Sequence, residues 1–158
     1  MAESRPSGVT LVEMLVVLGV ILVLAGIAVT VTLRMESQGK EAVVQNAFTL
    51  LGSALREYHE ARGQFPLQAE RNAVNARQHA EQMYQELRAE PASRQVLEKL
   101  HTSLVRHTSG PVDVRFVCDP WGTTIDYVYA PNDTFPRLTS AGSDRKFGTD
   151  DDIVNTGR

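Results

Sequence analysis

The pattern of apolar and polar positions divides the chain into a continuous apolar run, an amphipathic segment and a polar half with short alternating stretches. The apolar run from Met14 to Leu33 holds twenty residues and no charge. A helix rising about 1.5 Å per residue covers about 30 Å over that length, which is the thickness of a bilayer's hydrocarbon core. The pattern therefore predicts a membrane-spanning helix, which we place at residues 9–34.

The helical period continues beyond the apolar run. Apolar residues recur at intervals of three and four: Val44, Ala47, Phe48, Leu51, Ala54, Leu55 and Tyr58. A stripe of this kind buries one face of a helix against a core. The basic Arg62 followed by Gly63 is typical of a helix end. We expect a helix over 35–62 that continues the membrane segment and forms the spine of a globular domain, with Gly39 as a point where it bends.

The middle section, residues 69–107, predicts a helical insert. The first helix carries an apolar stripe made of Ala73, Ala76, Ala80, Met83, Tyr84 and Leu87. The second helix begins at Pro91, a residue favoured in the first turn. Its apolar positions are Val96, Leu97, Leu100, Leu104 and Val105. We expect it to end before Ser109, where a Ser-Gly-Pro sequence interrupts the pattern.

Beyond Pro111 the apolar period changes to two, which predicts strands. The alternating positions are Val112, Val114, Phe116 and Cys118 in the first strand and Ile125, Tyr127 and Tyr129 in the second. Asp119-Pro120-Trp121-Gly122 between them is a type I turn sequence. Residues 135–139 predict a third strand. The predicted fold is α+β, with a long amino-terminal helix packed on a small antiparallel sheet, extra helices in the middle and an acidic carboxyl-terminal loop; the globular domain is 35–158, with the sheet and loop at 111–158.

A single acid, Glu13, lies just inside the near end of the apolar run, five residues after Gly8. Carboxylates inside a membrane cost about 2.5–3.5 kcal/mol at its centre and usually have a function. Cleavage after Gly8 would give Val9 a new amino group one helical turn from Glu13. Glu13 would neutralise that amine in its own chain or in a neighbouring one, and the second arrangement favours assembly. A plain membrane anchor explains the apolar run but leaves Glu13 unexplained.

These residues carry a resemblance to a known family. Gly8, followed by Val9-Thr10-Leu11-Val12-Glu13 and an apolar helix, resembles the amino terminus of type IV pilins and type II secretion pseudopilins. The resemblance implies that residues 1–8 are a prepilin leader, that a prepilin peptidase cuts between Gly8 and Val9, and that Val9 becomes N-methylated. It also implies that Glu13 guides subunits into a filament. The family usually has Phe where this chain has Val9, and often Pro where it has Thr30.

The carboxyl-terminal stretch 140–153 holds four aspartates within nine residues, and Gly142 and Gly148 permit tight turns. Ca²⁺ takes six to eight oxygen ligands from carboxylates and carbonyls, so two alternatives stand on composition: a Ca²⁺ loop or a solvated acidic tail. The Asp-Pro-Trp-Gly turn, the following strand and this loop resemble type II secretion major pseudopilins, which implies one structural Ca²⁺. Carried over by position, its ligands are the side chains of Asp144, Asp151 and Asp152, the carbonyls of Ala141 and Ser140, and Asp150 as a substitute.

Composition narrows the function classes. A net charge of −3 without a basic patch disfavours nucleic acid as a partner. Cys118 is the only cysteine, so the carboxyl-terminal disulfide of many pilins is excluded. No Ser/His/Asp motif, phosphate loop or redox pair is present, and we expect no enzyme activity. The histidines show no metal-ligand spacing, and we expect them to be surface or partly packed residues: His59, His79, His101 and His107.

The resemblance implies a structural subunit of a type II secretion-like pseudopilus, polymerised through its amino-terminal helix to drive protein secretion. It implies a single-pass protein of the bacterial inner membrane with a periplasmic carboxyl-terminal domain. The implied partners are further copies of the chain, minor pseudopilins, the prepilin peptidase, an inner-membrane assembly platform and membrane lipid. The alternatives are a type IV or competence-type pilin, a minor pseudopilin, or a simple membrane-anchored binding domain.

Overall fold

The computed structural model of the protein describes residues 10–68, 70–108 and 113–155, and within the first helix it describes residues 28–35 by their backbone alone. Gly8 and Val9, with the rest of the predicted leader, lie outside the described residues. The chain divides into two compact units, with the boundary between Gln38 and Gly39. The first helix crosses this boundary, and the later helices, the strands and the acidic loop lie in the second unit.

The first helix, α1, runs from Leu11 to Arg62 over 52 residues. The expected long helix is therefore confirmed from Leu11 onward, and it continues through Gly39. It ends as the sequence predicts, because Gly63 adopts a positive φ of 74° and its amide donates to the carbonyl of His59 at 2.8 Å. Within the described residues, no helix meets both the length and the hydropathy by which a membrane span is recognised.

The helical insert contains two helices, α2 (Ala76–Ala89) and α3 (Pro91–Leu97). The apolar stripe predicted for the first of them is buried at Ala76, Ala80, Met83, Tyr84 and Leu87. Ala73 precedes α2 in a 3-10 helix, Ala73–Asn75. Pro91 stands in the first turn of α3, as the sequence predicts.

Polar contacts between described residues join the insert to α1. The Tyr58 hydroxyl donates to Glu86 Oε2 at 2.6 Å, and Arg62 Nε lies 3.1 Å from Glu90 Oε2. The Ser93 hydroxyl, fully buried, donates to the carbonyl of Ala54 at 2.9 Å. Burial, assisted by the Glu86 carboxylate, raises the pKa of Tyr58 to about 12. The phenol therefore stays protonated and remains a donor to Glu86 at neutral pH.

The second predicted helix is shorter than expected. α3 ends at Leu97, a second 3-10 helix covers Thr102–Leu104, and Val105–His107 form a strand, β1. β1 pairs antiparallel with β2 (Arg115–Val117), so that Val105 faces Val117. Apolar residues that point inward from successive short turns also recur at intervals of three and four residues. The prediction of a helix up to Val105 was therefore wrong.

Among residues 70–108 and 113–155, two small antiparallel sheets replace the single predicted sheet. The first consists of β1 and β2, and the second has the order β3-β4-β5, with β3 at Asp126–Val128, β4 at Arg137–Ser140 and β5 at Ile153–Val154. Tyr127 pairs with Leu138 and Ser140 with Ile153. The expected third strand is confirmed as β4. β5 was not expected, because two residues after an acidic stretch carry no detectable period.

The hydrophobic core forms where the second half of α1 meets the insert and the sheets. Its largest fully buried side chains include Leu51, Leu55, Leu87 and Tyr127. All of β3 is buried, including Asp126, because α2 packs against this strand. The observed fold is α+β, as predicted: a long amino-terminal helix packed on small antiparallel sheets, with additional helices between them.

Candidate functional site

Glu13 and Thr10 form a capping box at the start of α1. The Glu13 amide donates to Thr10 Oγ1 at 3.2 Å, and Glu13 Oε2 accepts from the Thr10 amide and from the Thr10 hydroxyl, each at 2.8 Å. A Ser or Thr cap with Glu three residues later satisfies otherwise unpaired amides of the first helical turn. The carboxylate of Glu13 thus points back toward the amino end of the helix.

The apolar side chains that follow Glu13 are exposed on every side of the helix. Leu11 is 81% exposed and Ile27 is 56% exposed, and the other large apolar side chains between them exceed half. A helix that is apolar all round requires a partner all round, either lipid or other helices. This part of α1 therefore presents an apolar surface on all sides.

Asp151 braces the acidic loop from within. Its Oδ2 accepts from the Asp144 amide at 2.9 Å and from the Ser143 hydroxyl at 3.1 Å, while its Oδ1 accepts from the Thr149 hydroxyl at 2.6 Å. These hydrogen bonds, with that of Thr149 the strongest influence, lower the pKa of Asp151 to about 2. The two limbs of the loop are therefore joined by an ionised carboxylate.

Gly142 allows the two limbs to approach closely. Its φ is 63°, a conformation that favours glycine. A Cβ at this position would lie 2.2 Å from the carbonyl oxygen of Asp151 and 2.7 Å from its Oδ2. Backbone atoms occupy the place of a side chain, so the loop requires Gly at this position.

The remaining predicted ligands are arranged unequally. Asp152 Oδ2 accepts from the Gly148 amide at 2.7 Å, whereas Asp152 Oδ1 is buried and has no hydrogen-bond partner. Asp144 Oδ1 accepts from the Lys146 amide at 2.7 Å. Asp150 is exposed. Over the part of the chain that the structure describes, no three His, Cys, Asp or Glu side chains group so that they could hold a metal ion.

The base of the loop is tied to the Asp-Pro-Trp-Gly turn. The Ser140 hydroxyl donates to Asp119 Oδ2 at 2.6 Å, while Asp119 Oδ1 accepts from the amides of Trp121 and Thr123. The turn itself closes through the Gly122 amide, which donates to the Asp119 carbonyl at 3.0 Å, so the predicted turn is confirmed. Ser140 and Ala141, the predicted carbonyl ligands, are completely buried. They form a rigid base from which the loop projects.

A buried polar cluster was missed by sequence reasoning. His79 on α2 is 4% exposed, and its Nδ1 lies 2.8 Å from Oδ1 of the buried Asp126 on β3. Its Nε2 lies 3.0 Å from Glu70 Oε1, in the segment before α2. The expectation that His79 would be a surface or partly packed residue was wrong. Nothing in the spacing indicates the cluster, because its members are separated by 9 and 47 residues.

Cys118 behaves as a small apolar residue, as expected. It is 3% exposed and packs in a small cluster with Ala80 and Phe116. Burial raises the pKa of its thiol, so the reactive thiolate is disfavoured.

A comparison with protein-family models found a match at the amino terminus, in the segment that contains Glu13. Residues 4–29 match the model described as the prokaryotic N-terminal methylation motif. The match includes Gly8, Val9 and Glu13. This motif is the amino-terminal signature of type IV pilins and pseudopilins, so the chain carries that signature in its first 29 residues. In general the motif implies processing by a prepilin peptidase and polymerisation, with a membrane-anchored or pilus location. A comparison with curated proteins gave no match, and neither did one with solved structures.

Proposed function

We propose that the protein is the major structural subunit of a type II secretion-like pseudopilus. The observation that carries the proposal is the methylation motif at 4–29, placed on a helix whose apolar side chains are exposed on all sides. The peptidase cuts after Gly8 and Val9 is methylated. Residues 9–34 then anchor the chain in the inner membrane until they enter the filament core, while the domain from residue 35 lies in the periplasm.

Assembly depends on the charge of Glu13. Leaving water costs a lone carboxylate and a lone amine free energy, and an ion pair between them offsets part of that cost. The carboxylate of Glu13 lies at the amino end of its own helix, bonded to Thr10. In a filament it pairs with the amine of Val9 in the neighbouring subunit. The inner-membrane assembly platform and the minor pseudopilins are the proposed partners in this assembly.

Features of the globular domain favour the secretion branch among the alternatives. The Asp119 turn is bonded to Ser140 at the base of an acidic loop, and the single cysteine is buried. A type IV or competence-type pilin and a minor pseudopilin share the amino-terminal motif and differ in abundance or in the transport they serve. A simple anchored binding domain has no need of Glu13.

Abundance distinguishes the major subunit from a minor one. Filaments sheared from cells that produce the chain with its peptidase, assembly platform and minor pseudopilins should contain it as the predominant polypeptide by quantitative mass spectrometry. Deletion of the chain should stop secretion of the system's exported proteins. A ratio of one or a few copies per filament would contradict the major role, and undisturbed secretion would contradict the secretion role.

We further propose that the acidic loop holds a structural Ca²⁺. The supporting observation is Asp152 Oδ1, a buried carboxylate oxygen without a hydrogen-bond partner, which is a costly state unless an ion or water satisfies it. Asp152 would be joined by the rest of the predicted set: the side chains of Asp144 and Asp151, with Asp150 as substitute, and the carbonyls of Ala141 and Ser140. Bound Ca²⁺ would supply charge neutralisation and a fixed loop conformation.

Removal of the metal tests this part of the proposal. The full chain in detergent should melt at a higher temperature with Ca²⁺ than with EDTA. At a Ca²⁺ concentration a hundredfold above Kd, the free energy of unfolding should rise by about 2.7 kcal/mol. Mg²⁺ should replace Ca²⁺ poorly, since it requires a tighter octahedral shell. Asp152→Asn should lose the response, while Asp133→Asn, an exposed aspartate outside the loop, should retain it. The same melting temperature with Ca²⁺ and with EDTA would refute the site.

A further inference from the structure

His79 joins three segments of the globular domain through one buried ring. The ring belongs to α2, its Nδ1 faces Asp126 on β3 at 2.8 Å, and its Nε2 faces Glu70 in the segment before α2 at 3.0 Å. The side chains of His79 and Asp126 are each 5% exposed, whereas that of Glu70 is 44% exposed. One carboxylate is thus sealed inside the domain and the other stands at its surface.

The hydrogen-bonding capacities of these groups define a protonation state. An ionised carboxylate only accepts hydrogen bonds, and a neutral imidazole has one donor and one acceptor nitrogen. Both ring nitrogens of His79 lie within hydrogen-bond distance of carboxylate oxygens. Only the imidazolium form, with two N–H groups, satisfies both contacts. In the neutral form, one nitrogen lone pair would face a carboxylate oxygen.

We propose that His79 is a cationic clamp that holds the segment before α2 and the second sheet to one ring, and that the contact with Glu70 opens when the imidazolium loses its proton. The attachment of that segment then depends on the pH of the compartment. The imidazolium also balances the charge of the buried Asp126, which would otherwise be costly. On deprotonation the contact at Glu70 is the one to break, because Glu70 is exposed and water replaces the ring as its partner.

The other charged groups of α2 and of the elements packed on it have their own partners or are exposed. On α2 itself, Arg77 pairs with Glu81 at 2.8 Å, Glu86 accepts from the Tyr58 hydroxyl, and Arg88 lies 3.4 Å from Asp113. From β2, Arg115 pairs with Asp113 at 2.8 Å. Arg94 on α3 and Glu98 just after it are exposed, and the 3-10 helix before α2 holds only Ala, Val and Asn. Within the described residues, Asp126 and Glu70 are the hydrogen-bonding contacts of the ring.

Nuclear magnetic resonance of the full chain in detergent, labelled with ¹⁵N-histidine, reads the protonation state directly. The ring signals of His79, assigned by their loss in His79→Gln, should show two protonated nitrogens near pH 5 and one near pH 9, a range that brackets the titration of imidazole. A ring with one bare nitrogen already near pH 5, or with two protonated nitrogens still near pH 9, would overturn the proposal. This readout requires only the wild-type fold.

Thermal melting of the same samples tests the link to stability. An imidazolium that bonds two carboxylates stabilises the fold while it keeps its proton, and that stabilisation is lost when the proton leaves as pH rises. The melting temperature of wild type should exceed that of His79→Gln by about 10 °C near pH 5, and the gap should narrow as pH rises toward about 9. His107→Gln is the matched control, because His107 also faces a carboxylate, at 3.0 Å, but is 55% exposed. Its melting temperature should stay within about 2 °C of wild type throughout. A gap for His79→Gln that is independent of pH would overturn the clamp.

Discussion

Glu13→Gln is expected to abolish filament assembly while leaving the chain inserted in the membrane. Gln at this position retains the capping box, since either Glu or Gln at the third helical position bonds back to the cap residue. It removes only the negative charge that would pair with the amine of Val9 in a neighbouring subunit. Sheared-filament yield should fall at least a hundredfold, and fractionation should recover the variant with the membrane at wild-type amount.

Thr10→Val is the matched control for this experiment. Valine has the shape of threonine but lacks the hydroxyl that bonds Glu13, so the helix cap is weakened by about 1 kcal/mol while the charge remains. Assembly should continue, with a modest loss of yield. If Glu13→Gln assembled normally and Thr10→Val did not, Glu13 would act as a helix cap and the charge-pairing account would be wrong.

Gly142→Ala is expected to be the most destabilising single-methyl change in the acidic loop. The added Cβ would lie 2.2 Å from the Asp151 carbonyl oxygen, a backbone atom that moves only if the loop does. The two limbs held by Asp151 would have to separate. We expect a loss of about 3 kcal/mol or more in the free energy of unfolding, measured by urea denaturation of the full chain in detergent.

Gly148→Ala is the control that separates the cost of the backbone conformation from the cost of the steric clash. Gly148 also has a positive φ, 87°, but a Cβ there would meet nothing within 4 Å. Its replacement should cost about 1–2 kcal/mol, the cost of placing alanine in the left-handed region. Equal losses for the two variants would contradict the close packing of Gly142 against Asp151.

The sequence predicts two kinds of feature well: helices with a long apolar period, and helix ends or turns that depend on a few neighbouring residues. The stripe from Val44 to Tyr58 is buried on α1, because seven positions at the helical period leave one arrangement that hides them all. Gly63 ends that helix and Pro91 begins α3 through the backbone preferences of single residues. The Asp119 turn is predictable for the same reason, because it forms through hydrogen bonds among neighbouring residues.

Short strands escaped prediction because they hold too few residues for a period. β1 has three residues and β5 has two, and each exists through its partner strand. Val105 was assigned to a helix for this reason. The covering of β3 by α2 is also a tertiary event, and it buries Asp126, which lies between the alternating apolar positions of this strand.

The residues of the candidate site also differ in how far the sequence predicts their roles. Gly8, Val9 and Glu13 lie within six residues, so their arrangement can be recognised from the sequence alone. In the acidic loop, the sequence indicates carboxylates, but which of them hold the loop and which lacks a partner depends on the fold. Asp151 is bonded to both limbs, whereas Asp152 Oδ1 is left without a hydrogen bond. The pairing of His79 with Asp126 depends on the packing of α2 on β3.

The intact mass of the mature protein tests the central claim most directly. Chain purified from cells with an active prepilin peptidase should lack Met1 to Gly8 and should gain the mass of one methyl group, located on the amine of Val9 by fragmentation. A full-length mass of 17.4 kDa in the same cells, or a cut at any other bond, would contradict the account.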